Sequence, residues 1–261
     1  MVTIEFSPPP TANKPVVYGT GTVLMVENND SLVVTIIPKL LSDGKLFIDE
    51  LTISVWFHNE KEKIPAIVVV DDNIELAILL VKGDSPRKSI SLGEFAKEQK
   101  YQYDVVYAIA TMAATKLHPD STVLLNEPFG SLGIYEGHIT TPNCTASTLQ
   151  NSVVSESKRY FKLSCMYMDH MLTLDNIDDE EGHQSSRVLG APVIGYDSKM
   201  IGIVCSVATS DDLKYAIHVE HMIKPIEDMC DKHSKEILHS KKIWLDWEGK
   251  LKKVYTAVQK A

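Results

Sequence analysis

Three groups of side chains in this 261-residue chain are of types that could do chemistry. Ser185 and Ser186 follow His183 closely, Cys205 stands inside the apolar run 200–207, and His218 and His221 are three positions apart. A hydroxyl or thiol attacks a carbonyl only when a neighbouring base takes its proton, and a third group normally orients that base. Neither serine has such a set of partners nearby, and both read as members of an exposed polar loop. Cys205 has no adjacent cation to favour its thiolate and reads as a buried strand cysteine. The two histidines have a metal-like spacing without a third ligand, so they read as surface or capping residues at the start of a helix. The acidic run from Asp175 to His183 holds carboxylates suited to a hard cation. It lacks the ordered ligand positions of an EF-hand, and a solvated loop or a protein-docking loop describes it better. No phosphate loop, dinucleotide fingerprint or zinc spacing occurs, so neither cofactor nor metal is expected.

The chemistry-bearing residues therefore do not identify an active site by themselves, and the elements that would position them matter more. Hydrophobic residues make up 44% and charged residues 23%, which is enough apolar material for a large domain or two small ones. The net charge of −9 argues against a nucleic-acid-coating surface. It is unevenly spread: from Asp231 onward eight lysines face four acids, a surplus of +4 that leaves −13 on the rest. Cys144, Cys165, Cys205 and Cys230 contain no CxxC pair and read as reduced, largely buried thiols. The first residues lack the basic and apolar regions of a secretory signal, and no run approaches the ~18 apolar residues of a membrane span. An intracellular protein, cytoplasmic or nuclear, is the expectation. On that expectation the glycosylation triplets at Asn29 and Asn143 carry no meaning.

Residues 1–15, with Pro8, Pro9, Pro10 and Pro15, read as an extended arm. Short β-rich runs follow, punctuated by turn chemistry: 16–26, 31–37, 51–57, 64–70 and 75–81, then 103–112, 132–140, 160–168, 191–194 and 200–207. This spacing, without alternating helices, predicts an antiparallel sandwich or barrel. The period changes near the end. Met222, Ile223, Ile226, Met229, Cys230 and Ile237 share one helical face. Trp244, Trp247, Leu251, Val254 and Val258 recur at steps of three and four, with lysines mostly off the stripe. Such a stripe suits packing onto the chain's own body, a partner helix, or contact with an anionic membrane surface.

The order of these pieces resembles trypsin-like serine proteases, and among them the HtrA/Deg type. Gly19-Thr20-Gly21-Thr22-Val23-Leu24 looks like the Gly-Ser-Gly-hydrophobic strand that opens that domain. Val33-Val34-Thr35-Ile36-Ile37-Pro38 looks like the strand ending in Thr-x-x-His, and Ile74-Glu75-Leu76-Ala77-Ile78-Leu79 like the segment that carries the catalytic aspartate. The segments at 103–109 and 137–140 are similar to strands of the second barrel. Leu189-Gly190-Ala191-Pro192-Val193-Ile194, with its turn and Met200-Ile201-Gly202-Ile203, lines up without gaps on Ser-Gly-Gly-Pro-hydrophobic and the strand after it. Lys214-Tyr215-Ala216-Ile217 resembles the closing strand. The resemblance implies a mainly β fold: two antiparallel barrels over 16–230 (about 16–120 and 121–218), a closing helix from about 220, and a basic helical extension at 231–261.

What the resemblance implies about catalysis is negative. The histidine position holds Pro38, the serine position Leu189, and the aspartate position Glu75, a carboxylate with no imidazole to orient. Arg187 replaces the glycine that shapes the family's oxyanion loop. A pseudoprotease is therefore expected, working through a protein or peptide partner or as part of an assembly. In the family, the strand matched by Ile203, Val204, Cys205, Ser206 and Val207 adds an extended peptide as a further strand, a mode that needs no triad. Trp244, Trp247, Leu251 and Val254 are the candidate contacts for a partner helix. Two other readings stay open: a hydrolase using non-standard residues such as Ser186 or Cys205, and a structural subunit of a homo- or hetero-oligomer.

Overall fold

The computed structural model describes residues 1–10, 16–37, 51–58, 60, 62–71, 76–84, 86–92, 105–111, 132–144, 160–165, 188–207, 213–219, 221 and 222. Its twelve strands are β1 (Val2–Ser7), β2 (Val17–Glu27), β3 (Asp30–Ile36), β4 (Thr52–Phe57), β5 (Ile64–Asp71), β6 (Leu76–Val81), β7 (Val105–Thr111), β8 (Leu132–Cys144), β9 (Tyr160–Cys165), β10 (Pro192–Ile194), β11 (Met200–Val207) and β12 (Leu213–His218). They close into two antiparallel barrels, β1-β2-β3-β6-β5-β4 and β7-β8-β9-β12-β11-β10. The second barrel repeats the strand order of the first.

Local chemistry sets several of these elements. Asn28 and Asn29 have φ of 51° and 70°, between the paired residues Glu27 and Asp30. Two consecutive left-handed residues make the tight turn whose twist suits a two-residue hairpin, and asparagine tolerates that conformation well. In β3 and β6 the usual alternation of apolar and polar residues disappears, because both faces are covered. Val33, Ala77, Leu79 and Val81 point into the first barrel. Leu32, Val34, Ile36, Leu76, Ile78 and Leu80 point the other way, into a second core shared with Tyr160, Met200, Ile203, Cys205, Tyr215 and Ile217 of the other barrel. This shared core joins the barrels. At about 25 cal/mol per Å² of apolar surface it contributes strongly to holding them together.

Two of the sequence expectations need correction. Residues 2–7 are not part of an arm: β1 pairs with both β2 and β4 and closes the first barrel. Val2, Ile4 and Phe6 alternate with less apolar residues and fill the barrel interior, a strand signal that the nearby proline run obscured. The boundary between the barrels lies between Val81 and Val105, not near residue 120, because β7 already pairs with β8 and β10. The segment that crosses between the barrels is tied to each of them. The Ile90 amide donates to the Val23 carbonyl at 2.9 Å, and the Met200 amide donates to the Ser91 carbonyl at 3.0 Å. The helical stripes read beyond Met222 lie outside the described residues.

Candidate functional site

The turn Val188–Ala191 carries Leu189, the residue that the sequence resemblance aligned with the family's serine. The Ala191 amide donates to the Val188 carbonyl at 3.0 Å, which leaves Leu189 and Gly190 as the two central residues. Gly190 has φ +82°, as the third position of a type II turn requires. A side chain there would also collide with the Thr20 carbonyl and approach Thr35 Oγ1 at 2.8 Å. Both conditions select glycine.

The turn is clamped from both barrels. On the first, the Thr20 amide of β2 donates to the Leu189 carbonyl at 3.0 Å, and Thr35 Oγ1 donates to the Thr20 carbonyl at 2.8 Å. On the second, the Gly190 amide donates to the Val204 carbonyl at 2.8 Å, and the Val204 amide donates to the Ala191 carbonyl at 2.9 Å. The backbone of this turn is thus held in one place from both sides, and it presents an alkyl side chain. Leu189 is half-buried and packs against the core shared by the barrels. It has no lone pair to attack a carbonyl and no proton to give up. Pro38, Glu75, Arg187, His183, Ser185, Ser186 and the acidic run 175–183 lie outside the described residues.

The candidate peptide-binding strand divides into two parts. Pairing of β10 with β11 runs from Met200 to Ile203, opposite Pro192, and the 188–191 turn then takes both backbone groups of Val204. Ile203 is fully buried in the shared core. Ile203 and Val204 are therefore used by the fold itself. Beyond Val204 no strand among the described residues runs along this edge of β11, while β12 covers the opposite edge as far as Val207. The register shifts at Cys205, a bulge that separates the covered part of β11 from the rest. Cys205 is buried, and its thiol donates to the Tyr215 carbonyl at 3.4 Å. That places the sulfur in the strand's own hydrogen bonding.

Cys144, at the end of β8, is also buried. Burial pushes its thiol above the ordinary range, and the nearby Lys162 charge and backbone offset part of the effect. Tyr135 is likewise raised by burial. His218 corrects another expectation. It is the last residue of β12 rather than a surface cap, and it is 2% exposed. Its Nε2 lies 3.0 Å from the Pro142 carbonyl, which can only accept, so that nitrogen donates. Phe161 meets its ring edge-on at 5.0 Å. His218 thereby fastens the end of β12 to the irregular end of β8.

Sequence reading missed Thr20 and Thr35, which hold the Leu189 turn against the first barrel. The available signal was a hydroxyl inside the apolar run Val33-Val34-Thr35-Ile36-Ile37. A fully buried hydroxyl is normally hydrogen-bonded, and here its acceptor is fifteen residues away.

No protein-family model matches the sequence, and a search of curated proteins finds no match either. Among solved structures the chain is similar to Rv3671c of M. tuberculosis in several states. The inactive form of a serine-to-alanine mutant matches with a TM-score of 0.54 and 12% identity, over 89% of this chain and 88% of that one. The inactive form of the protease matches with a TM-score of 0.53 and 12% identity, over 87% and 88%. Its active form matches with a TM-score of 0.53 and 14% identity, over 87% and 80%. At such identities the likeness concerns architecture alone. The chain has the trypsin-like fold of two six-stranded antiparallel barrels, with Leu189 on the turn between them.

Proposed function

We propose that this protein is a catalytically inactive member of the trypsin-like fold that acts by binding a protein or peptide. The observation that supports this is Leu189: the turn keeps its glycine, its left-handed backbone and its clamps from both barrels, while the side chain at the nucleophile position is an alkyl group. Pro38 at the base position has no titratable group, so the proton transfer that activates a nucleophile has no acceptor there. The binding site in this reading is the edge of β11 at Ser206 and Val207. An extended segment would add there as a strand through backbone hydrogen bonds, which need no triad.

A fluorophosphonate probe, which labels activated serines covalently, tests the inactive reading. The expected result is no labelling of the full chain above that of heat-denatured protein. Stoichiometric labelling at any serine would overturn it.

A further inference from the structure

Where β7 meets β8, the outer face of the second barrel exposes apolar side chains among its polar ones. On β7, Val106, Ala108 and Ala110 fill the barrel, so Tyr107 and Ile109 point outward. The register sets Tyr107 opposite Glu136 and Ile109 opposite Ile134 on β8. Ile134 is 69% exposed, and Tyr196, two residues beyond β10, is 73% exposed. Single exposed apolar residues need no explanation, but a group shared by two paired strands marks an interaction surface.

We propose that this face seats the chain's own terminal segment through Trp244, Trp247, Leu251, Val254 and Val258. Three observations converge on that occupant. The segment carries an apolar stripe that would need burial if helical, and the face offers an apolar strip for it. The charges are complementary: Glu136 lies exposed in the middle of the face, while Lys250, Lys252 and Lys253 flank Leu251 and Val254. Trp244 lies 22 residues beyond Met222, enough chain to reach any face of a barrel whose radius of gyration is about 13 Å. A second copy of the same face fits less well, because an isologous contact would bring two Glu136 carboxylates together. This inference concerns a surface separate from the β11 edge and is independent of whether the protein is catalytic.

The test is zero-length carbodiimide cross-linking of the full chain, using an equal mixture of unlabelled and ¹⁵N-labelled protein, read by peptide mass spectrometry. The expected result is an amide between Glu136 and one of Lys250, Lys252 or Lys253, with both halves carrying the same isotope. Its yield should fall at least tenfold in Ile134→Asp and in Trp247→Ser. Ile134 is largely exposed, so Ile134→Asp should leave the barrel's melting temperature within a few degrees of the parent. Absence of the cross-link, or a yield unchanged in both variants, overturns the proposal. Mixed-isotope cross-links also overturn it, because they place a second copy on the face.

Discussion

The Leu189 carbonyl accepts the Thr20 amide at 3.0 Å, and this bond joins the Val188–Ala191 turn to the opposite barrel. Thr35 completes the arrangement by donating to the Thr20 carbonyl at 2.8 Å. Thr20 and Thr35, both far from the turn along the chain, therefore set where Leu189 sits. The turn is defined by its backbone rather than by the side chain it carries.

Replacing that side chain alone should not create a protease. Leu189→Ser supplies a hydroxyl, but Pro38 cannot take its proton, so fluorophosphonate labelling should stay at background. Loss of a half-buried leucine should also lower stability, by about 1–2 kcal/mol in urea unfolding. Labelling of the single variant at a rate typical of serine hydrolases would show that another base is in reach.

Gly190→Ala should be more damaging than its size suggests. The left-handed backbone costs a non-glycine residue about 1–2 kcal/mol, and the new Cβ would also collide with the Thr20 carbonyl. A total loss of about 3 kcal/mol is expected. Thr35→Val, which removes the donor to that carbonyl, should cost about 1–2 kcal/mol. Chemical denaturation of the two single variants and the double variant checks both values. The double should fall short of the sum, since both disturb the same carbonyl.

Arg87 holds the start of the crossing segment. Its guanidinium lies 3.7 Å from the centre of the Phe57 ring and makes a two-pronged ion pair with Glu60, at 2.8 and 3.0 Å. The arginine side chain is only 5% exposed. Arg87→Ala should destabilise the protein by about 2–4 kcal/mol, because the pair is largely shielded from water. Arg87→Lys keeps the charge but not the fork, and should recover less than half of the loss in thermal or urea unfolding.

The raised thiol of Cys144 makes a prediction about pH. At pH 8 it should stay protonated in the fold, so iodoacetamide should alkylate it at least tenfold more slowly than in urea, as mapped by mass spectrometry. The folded state keeps a proton that the unfolded state releases near pH 9. The sign follows: stability from this group is fully present below pH 9 and is lost as pH rises through the folded value. Tyr135 acts in the same direction above pH 10. Stability that rises between pH 9 and 11 would contradict both assignments.

Much of the architecture was legible in the amino-acid order. β-branched runs ended by turn residues marked most of the strands, because strand formation and tight turns depend on local sterics. The ungapped run from Leu189 to Ile203 placed the turn and β11, since turn residues and apolar strand residues follow one another there in the amino-acid order. Other features depend on which segments meet. Val2–Ser7 became a strand because the first barrel needed a partner between β2 and β4. His218 became buried because β8 and β9 cover the end of β12. Thr20 and Thr35 became the clamp on Leu189 because barrel closure brought a distant carbonyl within hydrogen-bond range. Ile203 and Val204 were removed from the candidate binding edge for a similar reason, since β10 and the 188–191 turn reach their backbone first. Sequence determined what the side chain at each position can do, and tertiary structure decided which groups were left to do it, because burial and hydrogen-bond pairing are settled only when distant strands pack.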